Sequence, residues 1–258
     1  MAHGIIPHRL QIHRQIIAMK IIPVIDLMDG EVVHARMGDR QHYQAIQSPL
    51  CATSHALDMV QALATLYRFD SLYIADLDAL RGKAPQLEII RQIHQQFAQL
   101  HILLDAGLRH MQQIHALPAA ITPVIGSENF NQLADFVALA EQLQIAQRDW
   151  LLSLDFKNAA LLGCAEILQQ SQHWPRRVIL MSLSHVGAES GPNWSLLRHY
   201  QALHSEREWL AAGGVGSDQD LQQLAQMGIT QALLATALHQ GKISSAYHVS
   251  QTATQSAS

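Results

Sequence analysis

Short apolar runs recur along the chain, each nearly uninterrupted and each bounded by Gly, Asp, Ser or Asn. They are IIPVIDL (21–27), SLYIADL (71–77), HILLDAG (101–107), TPVIG (122–126), WLLSLDF (150–156), VILMSLS (178–184), EWLAAGG (208–214) and QALLATAL (231–238). A strand with one wet face alternates apolar and polar residues, so a run without alternation predicts a strand buried on both faces, as in parallel sheets. Between the runs lie stretches such as SHALDMVQALATLY, PQLEIIRQIHQQF and SDQDLQQLAQMG. Their apolar residues fall at three- and four-residue spacing, which predicts amphipathic helices. Eight strand–helix units with no linker between them predict one α/β domain over residues 20–243. A closed (β/α)8 TIM barrel accommodates that repeat better than an open doubly wound sheet. Asp29-Gly30 followed by EVVHAR interrupts the alternation and predicts a β-hairpin excursion after the first strand.

A weak internal repeat runs through the pattern. VIDLMDG (24–30) resembles SLDFKNA (153–159), DAGL (105–108) resembles AGGV (212–215), and VIGS (124–127) resembles LLAT (233–236). The three pairs occur in the same order in each half, which a half-barrel duplication explains economically. Outside the repeat, residues 1–19 are basic and broken by His, Arg, Gln and Pro, without an apolar signal core. They are expected to be a poorly ordered extension, with Met19 the functional start. The polar tail over 244–258 is expected to fray.

Composition narrows the function classes. With 48% hydrophobic and 15% charged residues, the 258-residue chain is globular and long enough to bury a large core. A net charge of −4 argues against nucleic acid as a partner, and no apolar stretch is long enough to span a membrane. Cys51 and Cys164 are two lone thiols, which suits a reducing cytoplasm. The sixteen His are scattered: His8 and His13, or His110 and His115, sit five apart without a carboxylate or Cys partner. Neither a metal site nor an organic cofactor is expected, and the oligomeric state is left open.

In a β/α barrel the reacting groups lie at the carboxyl ends of the strands. Asp26 ends the first strand and Asp155 the fifth, on opposite sides of the ring. Two such carboxylates can act as acid and base if their environments separate their pKa values. Asp76 and Asp78 end the second strand, where one can contact a ligand or cap a helix, and Lys157 follows Asp155 by two residues. The phosphate signal lies in the second half. Gly213, Gly214 and Val215 follow the seventh strand directly before a helix, and Ala235-Thr236 closes the eighth. Backbone N–H groups between these two loops are the expected seat of one phosphate, with the Thr236 hydroxyl as an added donor.

The segments IIPVIDLMDGEVVHAR, ADLDA, DAGLR, VIGSE, SLDFKNA, AAGGV and ALHQGK, in this order, resemble the histidine-biosynthesis barrel family over about residues 19–245. That family comprises the ProFAR isomerase, which converts an N-linked aminoaldose to an aminoketose, and the cyclase subunit of imidazole-glycerol-phosphate synthase. The resemblance implies an Amadori rearrangement with Asp26 and Asp155 as the catalytic pair. By analogy Asp26 is the base and Asp155 the acid, although the residues themselves do not fix which is which. Asp76, Asp105, Gly107, Arg109, Gly126, Ser127 and Lys157 are the further candidate substrate contacts.

Three departures stand against a simple carry-over. Where the family shows Gly-Gly-Gly after the third strand, as part of a second phosphate site, this chain has Asp105-Ala106-Gly107. Val186-Gly187-Ala188 replaces an Asp-Gly-Thr segment after the sixth strand, and Thr236 stands where Gly is usual. The pattern is similar to a divergent branch found in archaea and methyl-oxidising bacteria, some members of which are associated with pterin-type one-carbon cofactors. Three functions are therefore weighed: a genuine ProFAR isomerase, an isomerase of a different phosphorylated sugar conjugate, and a non-catalytic barrel that binds a metabolite or protein. A carboxylate at 105 disfavours a second phosphate unless Arg109 pairs with it or Asp105 turns away to cap the next helix.

Overall fold

A computed structural model of the protein describes residues 19–35, 42–187 and 191–249. The extension expected over 1–19 lies, apart from Met19, outside the described residues, as does the tail from 250 onward.

The strands are β1 (Lys20–Met28), β2 (Glu31–Val33), β3 (Ser71–Asp76), β4 (His101–Asp105), β5 (Ile121–Gly126), β6 (Leu151–Lys157), β7 (Ala160–Leu161), β8 (Arg177–Ser182), β9 (Glu208–Ala212) and β10 (Gln231–Leu234). Eight of them, β1, β3, β4, β5, β6, β8, β9 and β10, pair in parallel in that order. The ring closes where β10 pairs with β1, from Lys20 opposite Gln231 to Pro23 opposite Leu234. The chain is thus a single (β/α)8 barrel. Its helices are α1 (Ala56–Leu66), α2 (Leu77–Leu80), α3 (Leu87–Gln96), α4 (Met111–His115), α5 (Leu133–Ile145), α6 (Trp194–Leu203), α7 (Asp218–Gln226) and α8 (Thr236–His239).

The uninterrupted apolar runs follow from the two cores that a closed barrel builds. Ile21, Ile25 and Leu27 face outward into a cluster shared with the helices, whereas Ile22 faces inward with Tyr73, Leu103 and Val124. Successive strand residues thus serve opposite faces, and both faces are dry.

After β6 the regular alternation fails. Short 3-10 turns, Ala165–Gln169 and Ser171–His173, replace the expected α-helix. The Trp174 indole donates to the Ile167 carbonyl at 3.1 Å, and Pro175 follows directly, so this segment turns back on itself rather than propagating.

Antiparallel hairpins leave the barrel at two corresponding places. β1 pairs with β2 around Asp29-Gly30, and β6 pairs with β7 around Asn158-Ala159. All four turn residues have positive φ, at 51°, 85°, 50° and 65°, as tight two-residue hairpins favour.

The tail expected to fray from 244 is tied down as far as 249. Arg68 donates its N–H to the Tyr247 carbonyl at 2.7 Å, Val249 donates to Leu66 at 2.9 Å, and the His248 ring meets Tyr67 edge-on. Half-buried aromatic groups outweigh the polar composition of this short stretch.

Candidate active site

The carboxyl ends of the strands open into a cavity of about 810 Å³. Asp26 from β1 and Asp155 from β6 both line it, from strands half a ring apart, together with Tyr73 from β3 and Asp105 from β4.

Asp155 is held firmly. The Ser153 hydroxyl donates to Oδ1 at 2.7 Å, the Ser127 hydroxyl approaches Oδ2 at 3.5 Å, and the Asp155 N–H donates to Ser127 Oγ at 3.0 Å. A Cβ on Gly126 would stand 3.1 Å from Oδ2, so the glycine leaves room for the carboxyl. Burial is the main force on its titration and pushes the pKa up to about 8. The charges of Glu128 and Asp105 push the same way, while the Ser153 hydroxyl and the Glu128 N–H oppose them.

Asp105 also turns into the cavity and does not cap the following helix. It is 7% exposed, accepts the Tyr73 hydroxyl on Oδ2 at 3.0 Å, and lies 3.4 Å from the Gly107 N–H. Burial and then the charges of Asp105, Asp155 and Asp26 raise the Tyr73 pKa well above its usual value, so its hydroxyl is a permanent donor. A single phenol that senses all three aspartates marks the centre of the site. Arg109, the expected neutraliser of Asp105, is exposed and does not line the cavity; its backbone N–H donates to the Gln113 side chain at 2.8 Å.

Several other expected contacts lie elsewhere. Asp76 is fully buried outside the cavity, where it caps α2 at the Ala79 N–H (3.1 Å) and accepts the Gln86 N–H at 2.6 Å. Asp78 accepts the Asp29 N–H at 2.8 Å and pairs with Lys83 at 2.9 Å, which ties the first hairpin to α2. Lys157 is exposed on the second hairpin, away from the cavity lining. Gly107 packs beneath α2, 3.5 Å from the Ala79 carbonyl by its absent Cβ. Gly126 and Ser127 act on Asp155 rather than lining the cavity.

Gly213, Gly214, Val215, Ala235 and Thr236 all line the cavity. The glycines have a reason beyond ligand access. A Cβ at 213 would stand 2.2 Å from the Ser182 carbonyl, one at 214 would stand 2.2 Å from that of Gly191, and both φ values are positive. Asp220 accepts the Gly216 N–H at 3.0 Å and the Ser217 hydroxyl at 2.9 Å, so these two donors of the loop are already engaged. Tyr73, Glu128, His239 and Lys242 also line the cavity but were not singled out from the sequence. Tyr73 carried a readable signal, since it is the only aromatic residue in the run SLYIADL. Among the described residues no group of three or more His, Cys, Asp or Glu could hold a metal ion, and no helix is long and apolar enough to cross a membrane.

The sequence is 29% identical over 229 residues to an uncharacterized protein of Methanocaldococcus jannaschii, covering 86% of this chain and 94% of that one. It is 30% identical over 236 residues to the imidazole-4-carboxamide (ProFAR) isomerase of Chloroflexus aurantiacus, covering 87% and 94%. The corresponding isomerase of Salinibacter ruber is 27% identical over 240 residues, covering 86% and 89%. The model of the histidine biosynthesis protein family matches residues 20–244, the whole barrel, and the chain belongs to that family.

Proposed function

We propose that the protein is an aldose–ketose isomerase of the Amadori type, acting in the cytoplasm on a sugar conjugate with a single phosphate. The observation that carries this reading is the unequal setting of the two facing aspartates. Asp155 is 5% exposed with its pKa pushed up to about 8, so it holds a proton at neutral pH, while Asp26 lines the same cavity from β1. A protonated carboxyl is the acid and Asp26 the base. Asp155 gives its proton to the furanose ring oxygen as the ring C1–O bond breaks, leaving a C1 iminium. Asp26 then takes the C2 proton, and the enaminol rearranges to the aminoketose.

The single phosphate rests on Asp105. A carboxylate about 4 Å from a phosphate oxygen costs about 4 kcal/mol at an effective dielectric constant of 20. Asp105 lies in the cavity wall where the ProFAR isomerase resemblance implies a second phosphate site, and Arg109 does not line that wall. The ligand therefore differs from the bis-phosphorylated histidine intermediate. Within this reading, the pathway is the assembly of a pterin-type one-carbon cofactor.

Four experiments test the proposal. Expression in a histidine auxotroph lacking the isomerase should fail to restore growth, and calorimetry with the bis-phosphorylated aminoaldose should show no micromolar binding. Growth together with tight binding would return the protein to ordinary histidine synthesis. A deletion strain with undiminished pterin cofactor would refute the pathway. Asp26→Asn should lower turnover by roughly 10²–10⁴-fold with binding retained, and an active Asp26→Asn would remove the mechanism.

A further inference from the structure

The cavity wall holds a buried imidazole that the aspartate chemistry does not use. His239 ends α8, shortly after Ala235 and Thr236, and is 8% exposed while lining the cavity. Its Nδ1 lies 2.9 Å from the Ser48 hydroxyl oxygen. That oxygen already accepts the Leu50 N–H at 3.2 Å. In the tautomer in which Ser48 gives its hydroxyl proton to Nδ1, the neutral ring carries its own proton on Nε2. Burial, followed by the His34 charge, lowers the His239 pKa to about 4, so the ring stays neutral at physiological pH. Nε2 makes no hydrogen bond to a described residue, yet it is not among the sealed, unpartnered polar atoms of the interior.

The place of this donor in the ring decides what it meets. The pole near β3 and β4 carries Tyr73 and Asp105, and calls for a ligand that donates hydrogen bonds. His239 stands at the other pole, following β10, on the turn that carries Ala235 and Thr236, in a cavity also lined by Gly214 and Lys242. A neutral N–H suits an anion there because it does not titrate away as the pH rises.

We infer that His239 is a substrate-binding residue, with its Nε2–H donating to the phosphate group held between the loops that follow β9 and β10. The inference rests on the phosphate reading above and deepens it. Ser48 is then a positioning residue, which reaches from the segment before α1 to fix the tautomer.

Calorimetric titration of the full chain with inorganic phosphate and with ribose 5-phosphate separates the two claims. His239→Phe should weaken both by roughly ten- to a hundredfold, the usual worth of a hydrogen bond to a charged group. His239→Gln, whose amide N–H can occupy the place of Nε2–H, should restore most of that loss. Wild-type protein that binds neither probe overturns the phosphate reading together with this inference. Wild-type binding left unchanged in His239→Phe overturns the role of His239 and leaves the phosphate reading standing. Weakened ribose 5-phosphate binding with unchanged inorganic phosphate binding overturns the assignment to phosphate and moves the donor to the sugar. Nitrogen-15 NMR of wild-type protein gives a readout that needs no variant to fold: Nε2 should be protonated and shift on adding phosphate. An unprotonated or unmoved Nε2 overturns the inference.

Discussion

Replacing Asp155 with Asn should abolish most turnover and yet stabilise the protein, because the site keeps an acid at the expense of folding. Asp155 titrates near its ordinary value of 3.8 in the unfolded chain and at about 8 in the native state. Between these values the folded protein holds a proton that the unfolded chain has released. Stability therefore falls as pH rises through that window, and the full cost is present above pH about 8. Roughly four units at about 1.4 kcal/mol each set an upper bound of roughly 6 kcal/mol. Water entering the cavity screens the ionised carboxylate and brings the realised value below that bound. Asn carries no charge, and its carbonyl can still accept the Ser153 hydroxyl that now reaches Oδ1 at 2.7 Å. Urea unfolding of both proteins from pH 5 to pH 9 reads the difference directly. The gap in favour of Asp155→Asn should widen with pH and level off above about 8, while turnover falls by roughly 10²–10⁴-fold. A gap that does not change with pH, or an Asn protein less stable at pH 9, would refute the claim that burial holds Asp155 protonated. Wild-type kcat should also decline as pH rises through the same value, since the acid must carry its proton to act.

Asp76→Ala should cost about 2–4 kcal/mol in urea unfolding, because the Ala79 and Gln86 N–H groups lose a buried acceptor; its folded fraction should keep turnover, and lost turnover at full stability would place Asp76 at the substrate. Gly213→Ala forces a Cβ to within 2.2 Å of the Ser182 carbonyl at a φ of 88°, so a fall in Tm is expected; a loss of phosphate binding at unchanged Tm would mean that the glycine serves the ligand alone. Ala159→Gly relieves a residue at φ 65° and should raise stability by up to about 1 kcal/mol without touching activity, and a lowered Tm would contradict the strain.

The barrel was legible because its strands are dry on both faces, which writes eight unbroken apolar runs into the sequence. The aspartates were harder, since ending a strand does not say which way a side chain points. Register supplies the missing parity. Asp26 pairs with Ala75, and Ala75 with Asp105, so these three positions share a level of the barrel, whereas Asp76 pairs with Leu27. Leu27 faces the helices, and Asp76 is buried outside the cavity in the cap of α2. A shift of one residue thus separates a site residue from a structural one. The hairpin after β6 was latent in the match between VIDLMDG and SLDFKNA, but Asn158-Ala159 is a weaker turn signal than Asp29-Gly30. His239 carried no local signal. Its role depends on Ser48, far away in sequence, which only the closed ring brings within 2.9 Å.

The two halves show how one frame comes to present two different walls to its cavity. Asp105 ends β4 where Ala212 ends β9, and Gly107 corresponds to Gly214, both with positive φ at 63° and 83°. In the second half the bare backbone crosses the end of β8 so closely that Gly213 has no space for a Cβ. The first half has Ala106 at that position, buried in the outer core, and presents a carboxylate and a phenol to the cavity in place of an open loop. That exchange reaches beyond recognition. The Asp105 charge is one of the forces that keep Asp155 protonated, so on the proposed function the residue that disfavours a second phosphate also tunes the acid two strands away in the ring. Glycine at 105 would open the wall and lower the proton affinity of Asp155 together. On the proposed function, substrate choice and proton affinity in this barrel are thus coupled through one side chain.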